Sequence, residues 1–224
     1  MSFTSRRCAR RITAPLLALS TVAHAACPLP ATTDLLERFI PADCEVCWGS
    51  GGTLAGAPFV LDWIVPSARG DEAPLSAAAL AEAGARAGEL ATGSTLQRRH
   101  ALPPLQGLSV GVQAGPAWYG YIGLRLDVQR TGAALPDAAV GYLALVETVR
   151  AGDDGTPVDR RLVRALAGPL VLDGAGESVV HLFALRLPQG AKAERLAAVG
   201  WIEAPSGRVI ALARAGSPDC PVTP

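Results

Sequence analysis

After Gly107 the chain shows stretches in which apolar residues recur at every second position, and that period dictates an extended chain. Leu108, Val110 and Val112 alternate with small or polar residues. Ile122, Leu124, Leu126 and Val128 do the same, with Arg125 and Asp127 on the other face. Residues 140–149, 179–187, 199–203 and 208–214 read as further strands. Turn signals separate them: Leu135-Pro136-Asp137, Asp153-Asp154-Gly155, Asp173-Gly174 and Ala204-Pro205-Ser206-Gly207. The last places proline second and glycine fourth, as a type I turn prefers. Short strands at this spacing predict an antiparallel, immunoglobulin-like β-sandwich over 106–216, with 217–224 as a C-terminal tail.

The part before it, 27–105, is built differently. An apolar run from Leu35 to Ile40 leads into Cys44-Glu45-Val46-Cys47 and then Trp48-Gly49-Ser50-Gly51-Gly52. Each glycine inside a helix costs about 1 kcal/mol relative to alanine, so a helix after Cys47 is not expected. Phe59-Val60-Leu61-Asp62-Trp63-Ile64-Val65 reads as a strand closed by Pro66. Residues 75–90, rich in Ala, Leu and Glu, read as a helix that Ser76 can cap. The predicted fold class is therefore α+β, mostly β.

Residues 1–26 carry Arg6, Arg7, Arg10 and Arg11 and no acid, then a short apolar stretch, then Ala23-His24-Ala25. That is the pattern of a secretory signal peptide, cut near Ala25 or Ala26. It implies a periplasmic or secreted protein. The whole chain has a formal net charge of zero, so loss of those four arginines leaves a mildly acidic remainder. No basic run survives to hold nucleic acid or an anionic membrane. Ala25-Ala26-Cys27 is also similar to a lipoprotein box, but His24 stands where that box needs an apolar residue, which argues against a lipid anchor at Cys27. No stretch after the signal is apolar enough to span a bilayer.

Four cysteines remain after cleavage: Cys27, Cys44, Cys47 and Cys220. In an exported chain an even number points to disulfides, and four allow three connectivities. The pairing favoured is Cys27 with Cys220, tying the two tails, and Cys44 with Cys47 as a local bridge.

A strand that runs into C-x-x-C is how thioredoxin-like folds present a redox pair. Here the likeness extends further. "LLERFIPADCEVC" resembles the opening of a family of exported bacterial proteins of unknown function, thioredoxin-like at the N-terminus and β-rich beyond it. "FVLDWIV" is similar to that family's second strand, and "DRRLVRALAGPL" to a recurrent segment of its β-rich part. The resemblance implies a thioredoxin-like region over 27–105, cut down after the cysteines, with about a dozen residues between Cys47 and the next strand. Pro103 and Pro104 are the candidates for the cis-proline that such folds set opposite their dithiol.

Two functions from different classes follow. One is a non-catalytic, disulfide-stapled binding or structural module with a protein or peptide partner, and the sequence leans to it. The other is a periplasmic thiol–disulfide oxidoreductase in which Cys44 attacks, Cys47 resolves and Glu37 moves protons, although Glu37 and Arg38 read most simply as solvated charges on an edge strand. A metal on the C-x-x-C would need His100 or His181 as a further ligand; the only methionine, Met1, leaves with the signal and there is no second C-x-x-C, so no metal and no cofactor is expected. His100 reads as solvated in a linker, and His181 as a core or interface residue. Asp62, inside an apolar strand, needs a partner, and the Arg98-Arg99 turn is the one expected. Trp48, Trp118, Tyr119 and Tyr121 could line a peptide surface, or fill a core.

Overall fold

The computed structural model describes residues 34–215 except 51–58, 89, 91–92, 104–105, 133–134 and 173–177. The signal segment, Cys27 and Cys220 lie outside the described residues. Among the described residues, ten strands form two sheets. They are β1 Leu35–Pro41, β2 Phe59–Val65, β3 Leu96–His100, β4 Leu108–Trp118, β5 Tyr121–Arg130, β6 Val140–Val149, β7 Arg160–Val171, β8 Ser178–Arg186, β9 Leu196–Glu203 and β10 Val209–Arg214. Two short helices, α1 Glu45–Gly49 and α2 Ala81–Ala87, follow β1 and β2.

The larger sheet has seven strands in the order β10-β9-β6-β7-β2-β1-β3. It is mixed rather than purely antiparallel, because β2 runs parallel to β1 on one side and to β7 on the other. Strands buried on both faces read as continuous apolar runs, and every residue of β1 is buried. The sheet crosses the 105/106 boundary: β1, β2 and β3 come from before it, and β6, β7, β9 and β10 from after it.

Alternation along the strands assigns the two faces. Leu143, Leu145, Ala198 and Ile202 turn toward the smaller, antiparallel sheet β4-β5-β8, where Val112, Leu124 and Leu126 meet them. Ala144, Val146, Val199 and Trp201 turn the other way, to pack with Trp63, Phe39 and the α2 alanines Ala83 and Ala87. The sheets approach closely where the chain has no side chain. A Cβ on Gly200 would lie 2.7 Å from Val112 Cγ2, and one on Gly141 would lie 2.7 Å from Leu126 Cδ2.

Four local expectations are corrected. Residues 75–90 do not make one helix: Ser76–Ala78 is a 3-10 turn, Ala79 bridges to Ile64, and α2 spans only Ala81–Ala87. Short alanine-rich helices need tertiary support, and here the Leu80 amide is drawn to the Ile64 carbonyl at 3.1 Å instead of continuing a helical ladder. Ser76 caps nothing; its hydroxyl donates to the Asp71 carbonyl at 3.0 Å. Residues 96–100, read as a linker, pair with β1 as an edge strand and bury His100. β7 is a long strand missed by the period-two reading, and the cis X-Pro bond of the described residues is Gly168–Pro169 within it, not one before Pro103; Pro104 lies outside the described residues. Among the described residues no helix is long and apolar enough to cross a membrane.

The close approach at Gly200 is testable. Gly200→Ala forces a methyl between the sheets and is expected to cost about 1–3 kcal/mol of unfolding free energy, read as a lower urea midpoint at unchanged m-value. An unchanged midpoint would mean that the sheets do not interlock there.

Candidate functional site

α1 is five residues long, against the expectation that the glycines would forbid a helix. Its own hydrogen bonds are few: the Trp48 amide donates to the Cys44 carbonyl at 3.2 Å and the Ser50 amide to the Val46 carbonyl at 2.8 Å. The turn is held from outside. Trp48 is buried, with its indole N–H donating to the Asp154 carbonyl at 2.7 Å. Arg160, buried at the start of β7, donates from Nη2 to the carbonyls of Trp48 and of Ser50, the latter at 3.3 Å. Its guanidinium lies 4.5 Å from the centre of the Trp48 ring. These contacts satisfy carbonyls that a short helix leaves without partners.

At the other end of α1 Cys44 is the N-cap and is joined by a disulfide to Cys47, with Cα atoms 5.2 Å apart. The two sulfurs differ in environment. Cys44 is partly exposed, whereas Cys47 is buried among Ile40, Ile64, Val149 and Leu162. The Cys47 amide points at Cys44 Sγ from 3.2 Å. The Gly93 carbonyl stands 3.6 Å from Cys47 Sγ and 3.9 Å from Cys44 Sγ. Nothing in the sequence marks Gly93 for this place; its left-handed φ of 72° is the one local sign, since that conformation favours glycine.

Beneath α1 lies a buried ionic cluster. Arg38 Nε donates to Asp62 Oδ1 at 2.5 Å, and Arg160 Nη1 donates to the same oxygen at 3.3 Å. Arg160 Nε also donates to Thr156 Oγ1 at 2.9 Å. The partners expected for Asp62, Arg98 and Arg99, are used elsewhere: Arg98 donates to the Arg86 carbonyl and Arg99 pairs with Asp34 at 2.6 Å. β3 pairs with the far side of β1, which keeps both arginines away from β2. Burial pulls the Arg160 pKa down; the Asp62 carboxylate restores part of this, and the neighbouring Arg38 charge lowers it a little further.

Glu37 is buried rather than solvated, and it lies on the opposite face of the sheet from Arg38 and Cys47. There it accepts from Arg86 Nε at 3.0 Å and stands 2.9 Å from His100 Nε2. The Val209 amide donates to His100 Nδ1 at 3.2 Å. That bond requires an unprotonated Nδ1 and places the ring proton on Nε2, facing Glu37. Arg86 also meets Glu203 at 2.6 Å and sits 5.4 Å from each of the rings of Trp63, Tyr142 and Trp201. The structure therefore does not bring Glu37 to the sulfurs. Burial pushes its carboxyl up, but the His100 hydrogen bond and the Arg86 charge outweigh this and hold it below its ordinary value.

The remaining candidates are scattered. His181, on β8, is partly exposed and bonds the Val171 carbonyl at 2.8 Å, so it is not a core residue. Trp118, Tyr119 and Tyr121 are exposed at the β4–β5 hairpin, 71%, 87% and 50% accessible, and not in a core. Among the described residues no three His, Cys, Asp or Glu side chains cluster to hold a metal.

No family model matches the chain, and no curated protein matches it. Solved structures do. HBP35 of Porphyromonas gingivalis superposes with a TM-score of 0.55 at 10% identity, over 86% of this chain and 78% of its own. A domain of the outer membrane lipoprotein Omp28 from the same organism gives a TM-score of 0.33 at 15% identity, over 51% of this chain and 89% of its own. The likeness to HBP35 is one of fold.

The Glu37 cluster predicts a pH dependence. A carboxyl held low in the folded state contributes stability above its unfolded value, near 4.5, and loses it as pH falls through the lower folded value. The thermal midpoint should therefore fall as pH drops below about 4.5. Glu37→Gln should lower it at pH 7 and flatten that acid limb; an unchanged limb would mean that other carboxylates carry it.

Proposed function

We propose that the chain is an exported thiol–disulfide exchange protein of the cell envelope, periplasmic or secreted, whose reactive pair is Cys44–Cys47 on a cut-down thioredoxin-like N-terminal part. The observation that carries this reading is the asymmetry of the pair. Cys44 is partly exposed at the N-cap of α1, with an amide N–H aimed at its sulfur, while Cys47 is buried behind it. An accessible sulfur that a client thiolate can reach, backed by one that only its partner can reach, is the division of labour that exchange needs. The parallel β1–α1–β2 arrangement supports the thioredoxin-like reading.

The staple reading, a non-catalytic module, is weakened by the same surroundings. A disulfide that closes so short a loop stabilises by roughly 2 kcal/mol in the chain-entropy model. Trp48 and Arg160 already fix this segment without it.

Exchange runs in two steps. A client thiolate attacks Cys44 Sγ, forming a mixed disulfide as the Cys44–Cys47 bond breaks and its electron pair leaves on Cys47 sulfur. A second client thiolate then attacks the client sulfur of the mixed disulfide and releases Cys44, so that two client cysteines are oxidised and the pair is reduced. In the reverse direction Cys44 attacks a client disulfide and Cys47 resolves it. The Gly93 carbonyl is placed to accept a hydrogen bond from the Cys47 thiol once it is protonated. The partner class is thus a protein or peptide bearing accessible cysteines.

Oxidised protein should convert a two-cysteine peptide to its disulfide, one equivalent per chain, by mass analysis. Cys47→Ser, given a disulfide-linked peptide dimer, should accumulate a mixed disulfide at Cys44, and Cys44→Ser should form far less. A wild-type disulfide left intact by excess peptide dithiol would sink the exchange reading and leave the stapled module.

A further inference from the structure

Arg160 does more than its place at the edge of the site requires. Its side chain has no solvent exposure, and its donors are distributed over Thr156 Oγ1, Asp62 Oδ1 and the carbonyls of Trp48 and Ser50. Arg38 takes the same oxygen of Asp62. Two guanidinium groups thus share one carboxylate, and Asp62 Oδ2 has no hydrogen-bond partner among the described residues. The cluster holds one positive charge in excess, directly beneath the helix that carries the dithiol. A buried charge without its counter-charge is costly.

We propose that Arg160 is a positioning residue that sets how readily the Cys44–Cys47 bond is reduced, by anchoring α1 and by holding unbalanced positive charge behind it. This rests on the exchange reading above. Reduction breaks the Sγ–Sγ bond and adds two electrons from a dithiol, which is itself oxidised to a disulfide. Negative charge develops on the cysteine sulfurs in the reduced form, as thiolate, and not in the neutral disulfide. A fixed cation therefore stabilises the reduced form selectively, lowers the thiolate pKa and makes the pair a better oxidant. Other charges near the pair are Asp43 and Glu45 on either side of Cys44, and Asp153 and Asp154, which meet Arg195 beside Trp48. None of these is buried, so each acts through solvent.

The test is the equilibrium constant between each protein and dithiothreitol at pH 8, where thiolate is populated, by thiol trapping and mass analysis. Arg160→Met should move the equilibrium toward the protein disulfide by about fivefold or more, equivalent to about 20 mV for a two-electron couple. Asp62→Asn, which enlarges the positive excess, should move it toward the dithiol. Arg160→Lys, keeping the charge but not the fork, should lie between wild type and Arg160→Met. Opposite signs are the signature of charge; a helix merely loosened would shift both variants the same way. Equal shifts of one sign, or no shift in folded protein, would overturn the proposal. If Arg160→Met does not fold, Arg38→Met removes one charge from the same cluster and is read against the same expectation. Failure of the exchange reading would look different: wild type inert to glutathione, with the Arg160 and Asp62 shifts still measurable against dithiothreitol.

Discussion

The fold turns on one carboxylate oxygen. Asp62 Oδ1 lies at the centre of β2, where it accepts from Arg38 of β1 and Arg160 of β7. β2 is the strand through which the N-terminal part enters the large sheet, with Asp62 in register opposite Leu162 of β7. Arg160 then continues outward to the carbonyls of α1. A single buried acid therefore ties together three strands and, through Arg160, the segment bearing the disulfide. Removing one partner from such a cluster strands the others in a poorly solvating interior, at about 3–5 kcal/mol. That dependence explains how five residues ending in Gly49 can hold a helical turn that local propensity does not supply.

The second ionic cluster sits on the other face of the same strands. Alternation sends Arg38 and Asp62 toward α1, and Glu37 toward Arg86, His100 and Glu203. Arg86, ringed by Trp63, Tyr142 and Trp201, docks α2 on the sheet by charge and ring contact as well as by its small alanines. The two faces thus divide the work: one fixes the scaffold, the other supports the dithiol.

The mostly-β character and the C-x-x-C were legible because period-two alternation and cysteine spacing are local signals. Residues 108–112 and 122–128 show the alternation in the sequence and fall in β4 and β5. What lay out of reach was set by distant partners. β3 reads as a polar linker, Leu-Gln-Arg-Arg-His, and becomes a strand because the edge of β1 is open to it. Glu37 and His100 read as solvated because their partners, Arg86 and the Val209 amide respectively, lie 49 and 109 residues away. Asp62 was marked as needing a cation, yet the cations came from Arg38 on the adjacent strand and from Arg160, 98 positions away. The helix expected over 75–90 failed because Ala79 is taken up by a bridge to Ile64.

The decisive measurement is the reduction potential of Cys44–Cys47 in the wild-type protein, by thiol trapping across a redox buffer series. An exchangeable pair should lie above about −250 mV, with Cys44 the first sulfur trapped. A value below about −300 mV would mark a structural bond and contradict the account.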